Sequence, residues 1–352
     1  MSYKLGLAAM NLEMSERVPR TEYYADNHWE LVSVVTGIDV CQASRPEIKK
    51  HASEQFRKAW DYSFVWSTLV HSERLPGRKT SMGHSVYAQG GGDYNDNKSC
   101  PFSEPEEALS FDPFDEYGEV DEKKATGDFN AHIESNRLAT PDAVNTTGIY
   151  ITCVSGLIEI FGWEMLLLAA GTDPRRFGDL TDRYVSWVSG YFNALAQSDS
   201  EFVMIHDDIV WTEGAIFHPD WYRRYVFPNY KKLFEPVIES GKKIIFTSDG
   251  NYTGFIDDIA ACGVHGFVME PLTDMGLIAE KYGKTHVFIG NADTRVLLMG
   301  TKQDIYGEVK RCMDIGKRYP GFIMAVGNQI PPNTPVSSAL YYNEAYEKLS
   351  GR

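Results

Sequence analysis

The stretch Ile244-Ile245-Phe246-Thr247-Ser248-Asp249-Gly250-Asn251 decides how the chain is read. An unbroken apolar run stops abruptly at hydroxyls and a carboxylate. The run does not alternate polar with apolar, so it reads as a strand buried on both faces, as parallel strands covered by helices are. The same grammar recurs on either side. Phe202 to Ile205 leads into His206-Asp207-Asp208, and Gly266 to Met269 leads into Glu270. Val287 to Ile289 leads into Asn291 and Asp293, and Phe322 to Val326 into Gly327-Asn328.

Helix signals fill the gaps. Asp173-Pro174 opens one helix, with Phe177, Leu180, Tyr184, Val188, Tyr191 and Leu195 as its apolar stripe. His218-Pro219 opens another, and Pro228 breaks or restarts it. Thr301 with Asp304 forms a capping box, and Gly241, Gly263 and Gly283 stand where helices end. Val18 to Tyr24, Phe64 to His71 and Gly148 to Val154 supply three earlier strands. Eight strand–helix units predict a (β/α)8 barrel, a TIM-type α/β fold of one domain over residues 1–352. Residues 77–123, rich in Gly, Asp, Ser and Pro, read as an irregular insertion with a helix near Glu104 to Ser110. Gly90-Gly91-Gly92 within it lacks the Lys-Ser/Thr of a phosphate-binding loop.

The formal charge of −15 argues against nucleic acid or an anionic membrane as partner. Five scattered cysteines without a CxxC pair fit a reducing compartment, and no window of eighteen uninterrupted apolar residues occurs. The expectation is a soluble cytoplasmic protein. Cys262 and Cys312 lie on apolar helix stripes and read as core, and Cys153 ends a strand and reads as core too.

Barrel enzymes build their sites just beyond the C-terminal ends of the strands. That rule points Glu22, His71, His206, Asp207, Asp208, Asp249, Glu270, Asn291, Asp293 and Asn328 toward one mouth. So many carboxylates repel one another unless a metal, a cationic ligand or protons intervene. Structural roles compete for several of them. Asp208 and Asp249 suit helix caps, His71 a satisfied buried histidine, and Asp293-Thr294-Arg295 an ion pair at a loop start. Asp207 points away from the mouth if strand alternation continues to it.

The order IHDDIVWTEG, HPDWYRRYVFPNYKKLFEPVIESGKKIIFTSDGN, DIAACGVHGFVMEP, GNADTRVLLMGT and GFIMAVGNQIPPNTP, across about residues 160–350, resembles the uroporphyrinogen decarboxylase-like superfamily. The resemblance implies a (β/α)8 barrel and one of two chemistries: porphyrinogen decarboxylation, or methyl transfer with a corrinoid protein. The decarboxylases grip substrate carboxylates with an Arg-rich N-terminal stretch, where this chain has RVPRTEYYADNHWE with only Arg17 and Arg20. The thiol-methylating branch holds zinc with a His-x-Cys pair and a later Cys. The matching positions here are Thr247, Asp249 and Asn328, so the usual zinc site is absent. The resemblance therefore implies the substrate-demethylating corrinoid-linked branch.

In that branch a methyl group on oxygen or nitrogen passes to cobalamin. Loss of an ether oxygen needs a proton or a Lewis acid. The expected acids or metal ligands are Asp208, Asp249 and Glu270, with His206 orienting them. A divalent metal, zinc being one candidate, would sit on His206, Asp208, Asp249 and Glu270. Asn328, Glu22, His71, Trp211 and Asn291 are the expected substrate-binding residues. Tyr23, Tyr24, Trp29, Trp66, Tyr87 and Trp211 would wall a methoxylated aromatic ring. No Asp-x-His-x-x-Gly stretch is present, so the cobalamin is expected on a partner corrinoid protein. The helical face from Arg223 to Lys232 suits a homodimer. A decarboxylase of a small carboxylated ring and a non-catalytic binding protein are the competing readings.

Overall fold

The computed structural model describes residues 2–80, 86–87, 93–94 and 99–352. Six parallel strands form the main sheet, in the order Phe322–Ile323, Val287–Ile289, Gly266–Met269, Lys243–Ser248, Phe202–His206 and Thr147–Ile149. Phe64–Val65 pairs in parallel with Val144–Asn145. The ladder is not continuous around the ring. Single backbone bonds near Arg20 link its two ends: Ser63 N donates to Arg20 O at 2.9 Å, and Thr21 N to Met324 O at 3.0 Å. The result is the barrel-type α/β architecture the sequence predicts.

Strand alternation sorts the core into two layers. Phe202, Met204, Ile245, Val268, Ile289 and Ile323 pack together inside the barrel, closed below by Ala9 and Met10 of the helix Ser2–Met10. Val203, Ile205, Phe246 and Phe267 face outward against the helices. The inward parity, carried one step past the apolar runs, delivers His206, Thr247, Asp249 and Glu270 to the mouth.

The helix signals are mostly as expected. Asp173 caps Pro174–Ala196, and Thr301 with Asp304 makes the capping box of Lys302–Gly316. Gly241 and Gly263 adopt φ of 83° and 89°, whereas Gly283 stays right-handed at −60°. Cys153, Cys262 and Cys312 are buried. Helices Pro105–Leu109 and Pro113–Tyr117 occupy the described part of the insertion. Gly90-Gly91-Gly92 and the side chain of Tyr87 lie outside the described residues.

Three early strands are corrected. Val18 to Tyr24 forms only isolated bridges, and the strand at Phe64 ends at Val65. The apolar run from Gly148 is strand only to Ile149; Val154 begins the helix Val154–Thr172. That helix is long and apolar enough to cross a membrane by length and composition, but 67% of its apolar window is buried inside the fold.

Its N-terminus is held by Asp207, which alternation turns outward from the mouth. The buried carboxylate accepts from the backbone N–H of Cys153 (3.2 Å), Val154 (3.1 Å) and Ser155 (2.6 Å), and from Tyr230 Oη (2.5 Å). Replacing it strands four buried donors. Asp207→Ala is expected to lower stability by about 3 kcal/mol in urea unfolding.

Candidate functional site

A cavity of about 500 Å³ opens where the inward-facing strand ends converge. Four carboxylates reach it: Asp208, Asp249, Glu270 and Glu159. The first three form one hydrogen-bonded floor. His206 Nε2 lies 2.7 Å from Asp208 Oδ1, which also accepts from Asp249 N at 2.9 Å. Glu270 Oε2 accepts from Gly250 N at 2.6 Å. Asn328 Nδ2 donates to Glu270 Oε1 at 2.6 Å and reaches toward Asp249 Oδ2 at 3.4 Å. The IIFTSDGN strand thus ends with the Asp249 carboxylate facing Asn328 and its backbone N–H holding Asp208.

Gly250 is required by this geometry. Its φ is +80°, and a Cβ there would approach Trp211 O to 2.6 Å. The turn that presents its N–H to Glu270 suits glycine alone.

Aromatic rings wall the cavity. Tyr23 packs on Trp66 with centroids 4.4 Å apart, Tyr150 tilts over His206 at 3.9 Å, and Trp163 meets Trp211 at 5.3 Å. Trp211 stands half-exposed at the rim. Burial, reinforced by Asp249 for Tyr23 and by Asp208 for Tyr150, pushes both phenols well above their ordinary range, so both keep their protons. His71 also lines the cavity; its ring stacks near Tyr150, and its Nε2 lies 3.0 Å from Thr68 O.

The structure does not bring Glu22 and Asn291 to the cavity. Glu22 is fully buried, bonded by Arg20 (2.9 Å), Tyr342 Oη (2.7 Å) and Val326 N (3.0 Å). Asn291 donates to Glu270 O and Thr273 O, and receives Arg311 at 3.0 Å. Both brace the frame. Asp293 caps the helix Thr294–Met299 and pairs with Arg295, and Trp29 hydrogen-bonds Gln42 away from the cavity lining.

The floor fits a divalent cation. One ligand atom each from His206, Asp208 and Asp249 lies within 4.8 Å of the other two. His206 Nδ1 is buried without a hydrogen-bond partner among the described residues. One imidazole with carboxylate oxygens is a donor set that zinc and its neighbours accept.

Sequence reasoning missed Glu159, together with Ser155, Tyr150 and Trp163. Glu159 comes from the helix Val154–Thr172 rather than from a strand end. Burial pushes its carboxyl up to about 7, with Asp208 and Glu73 adding to the rise, and the Ser72 hydroxyl and Lys79 opposing it. The sequence did carry a signal: Glu159 and Glu164 are the only charged residues in that apolar helix. Burial likewise pushes Asp207 up to about 6, against the lowering effect of its four donors. A carboxyl raised on folding stabilises fully below its unfolded value, near 4, and loses that contribution as pH rises through its folded value. Stability is therefore expected to decline between pH 4.5 and 7.5. Glu159→Gln is expected to flatten the upper part of that decline, which is worth up to about 3 kcal/mol, in denaturant titrations across pH.

The fold and site can be set beside known proteins. The family described as uroporphyrinogen decarboxylase (URO-D) matches residues 98–349. The uroporphyrinogen decarboxylase of Geobacter sulfurreducens is 26% identical over 177 residues, half of each chain. That of Thermus thermophilus is 28% identical over 171 residues, 49% of this chain and 48% of that one. The chain thus spans about half the length of the curated relatives it matches. A methyltransferase from Methanosarcina mazei superposes with a TM-score of 0.64 at 18% identity, over 99% of this chain and 98% of that one, a likeness of fold. With the family match running from the insertion through the last helix, the chain belongs to the uroporphyrinogen decarboxylase family.

Proposed function

We propose that the chain is a methyltransferase that moves a methyl group from a small substrate in the aromatic-walled cavity to the cobalamin of a separate corrinoid protein. The observation that carries this reading is the charge of the cavity. Carboxylates line its floor, and among the described residues no Lys or Arg lines it. Arg20, which the decarboxylase comparison would place at a substrate carboxylate, is buried against Glu22, Trp60 and Tyr346. A polyanionic tetrapyrrole, or a small carboxylated ring, would meet like charge there. Methyl transfer needs no anion-binding group.

The roles follow from the geometry. The rings of Tyr23, Trp66 and Tyr150 hold a flat or compact methylated group, with aryl methyl ethers the first class the sequence suggests. His206 fixes Asp208, and Asn328 fixes Asp249 and Glu270, so the floor is set before substrate arrives. A divalent ion on His206, Asp208 and Asp249 would supply Lewis acidity toward a departing heteroatom. Glu159, whose carboxyl burial pushes up to about 7, is a group with a proton to give near neutral pH. The reaction is assigned to the cytoplasm, and self-association through the Arg223 to Lys232 face belongs to the same proposal.

The test uses the purified chain, reduced cobalamin in solution and a panel of aryl methyl ethers and methylated amines. Methylcobalamin is expected to form from at least one donor class, followed by its absorbance. Asp249→Asn is expected to slow formation by about a hundredfold. No product from any donor, with carbon dioxide released from a carboxylated ring, would replace this reading by decarboxylation. Metal analysis is expected to return about one divalent ion per chain, lost in the Asp249→Asn protein.

A further inference from the structure

We infer that the cavity carries a second subsite, formed by Trp163 and Trp211, that holds a further ring of the methylated substrate. This rests on the methyl-transfer reading above and extends its donor from one ring to two.

Three observations converge on that subsite. The first is size. The cavity measures about 500 Å³. A cavity of about 150 Å³ is enough for benzene, and a water takes about 30 Å³. One ring therefore fills roughly a third of the space, and a metal with a few waters still leaves roughly half of it open. Pockets of this size suit ligands larger than a single ring. The second is the rim. Trp211 leaves 48% of its surface exposed. Its backbone is nevertheless fixed: Asn251 N donates to Trp211 O at 3.0 Å, and the Gly250 turn packs closely against the same carbonyl. Its ring meets that of Trp163 edge to face, with centroids 5.3 Å apart. Such a pair leaves indole surface on which another ring can stack. Ile158 and Val210, both buried, line the cavity too and bring no polar group to it. The third is the backbone before Trp163. The helix Val154–Thr172 is broken at Gly162, whose φ of 70° and ψ of 166° lie in a region open essentially to glycine alone. A break of this kind inside an apolar helix is costly, and it is kept where it places a functional group.

The placement suits the proposed reaction. Trp163 and Trp211 come from one flank, the broken helix and the hairpin of Val210–Trp211 with Gly214–Ala215. A second ring held against that flank lies beside the opening, so the corrinoid partner still reaches the methyl group from the mouth. Contacts made far from the reacting carbon then orient it, which is how remote binding energy serves a group transfer. The subsite needs no particular protonation state of the floor.

The experiment measures binding first, by calorimetric titration of the purified chain. The probes are 4-methoxyphenol and 4′-methoxybiphenyl-4-ol, which differ by one inserted ring. The biphenyl is expected to bind at least about thirtyfold more tightly, the order that burying a second ring supplies. Trp211→Ala and Trp163→Ala are each expected to cut that ratio to about fivefold or less, and Trp211→Phe to keep most of it. A wild-type ratio near one overturns the inference, whatever the variants' folding. A ratio that both alanine variants preserve, with circular dichroism showing them folded, overturns it as well. Methylcobalamin formation from reduced cobalamin is then followed with each ether. A higher kcat/KM for the biphenyl supports the assignment. Product from 4-methoxyphenol alone overturns it and leaves the methyl-transfer reading intact. Tryptophan-dependent biphenyl binding without product from any donor overturns the methyl-transfer reading, and the two-ring subsite stands without a donor role.

Discussion

The buried carboxylate of Asp207 at the head of the helix Val154–Thr172 organises the site. It sits on the outward parity of its strand, where it accepts three successive backbone N–H groups and the Tyr230 hydroxyl. A helix N-terminus carries partial positive charge and unpaired donors, so an anion placed there answers both. The clamp is reciprocal: Ser155 N donates to Asp207, and Asp208 N donates to Ser155 Oγ at 2.6 Å. Fixing one residue that never enters the cavity thus sets its two neighbours, His206 and Asp208, which do. It also brings the helix close enough for Glu159 and Trp163 to complete the wall.

The floor obeys a related rule across chain segments. Each carboxylate is held by a donor from a neighbouring strand end. Asp208 takes the N–H of Asp249, Glu270 takes that of Gly250, and Asn328 from beyond the last strand reaches both Glu270 and Asp249. Backbone donors orient charge without neutralising it. Carboxylates this close repel one another unless a metal, a cation or protons intervene. The frame beneath spends its own charges differently. Arg20 and Glu22 pair out of solvent, with Asn343 and Tyr342 completing their bonds, and contribute nothing to the mouth.

How much of this was legible depends on what kind of signal each residue leaves. The later strands read clearly because both faces are buried and the apolar runs are unbroken. The ring's early part did not, because Phe64–Val65 pairs over two residues and the Arg20 segment contributes only isolated bridges. From Gly148 onward, a strand and a buried helix look alike in sequence, since both are continuously apolar. Strand-end counting found His206, Asp208, Asp249 and Glu270, because inward parity carries them to the mouth, and Asn328, because it lies just beyond the last strand. It overreached at Glu22 and Asn291, whose polarity is consumed by Arg20 and Arg311. Such long-range pairing leaves no local trace. Glu159 escaped because the rule looks at strands, although a carboxylate in an apolar helix is the kind of anomaly that burial makes costly.

That cost connects the two ends of the cavity. Burial withholds water and pushes the Glu159 carboxyl up to about 7, and the nearby Asp208 and Glu73 add to the rise. Tyr23 and Tyr150 keep theirs for the same reasons. Glu159, Tyr23 and Tyr150 thus limit the charge that faces the floor. Adding a cation changes that balance at every member together, since each carboxyl's protonation is set by the others. Burial and the closeness of these groups to one another, rather than any single residue, therefore set how much charge this end of the barrel holds.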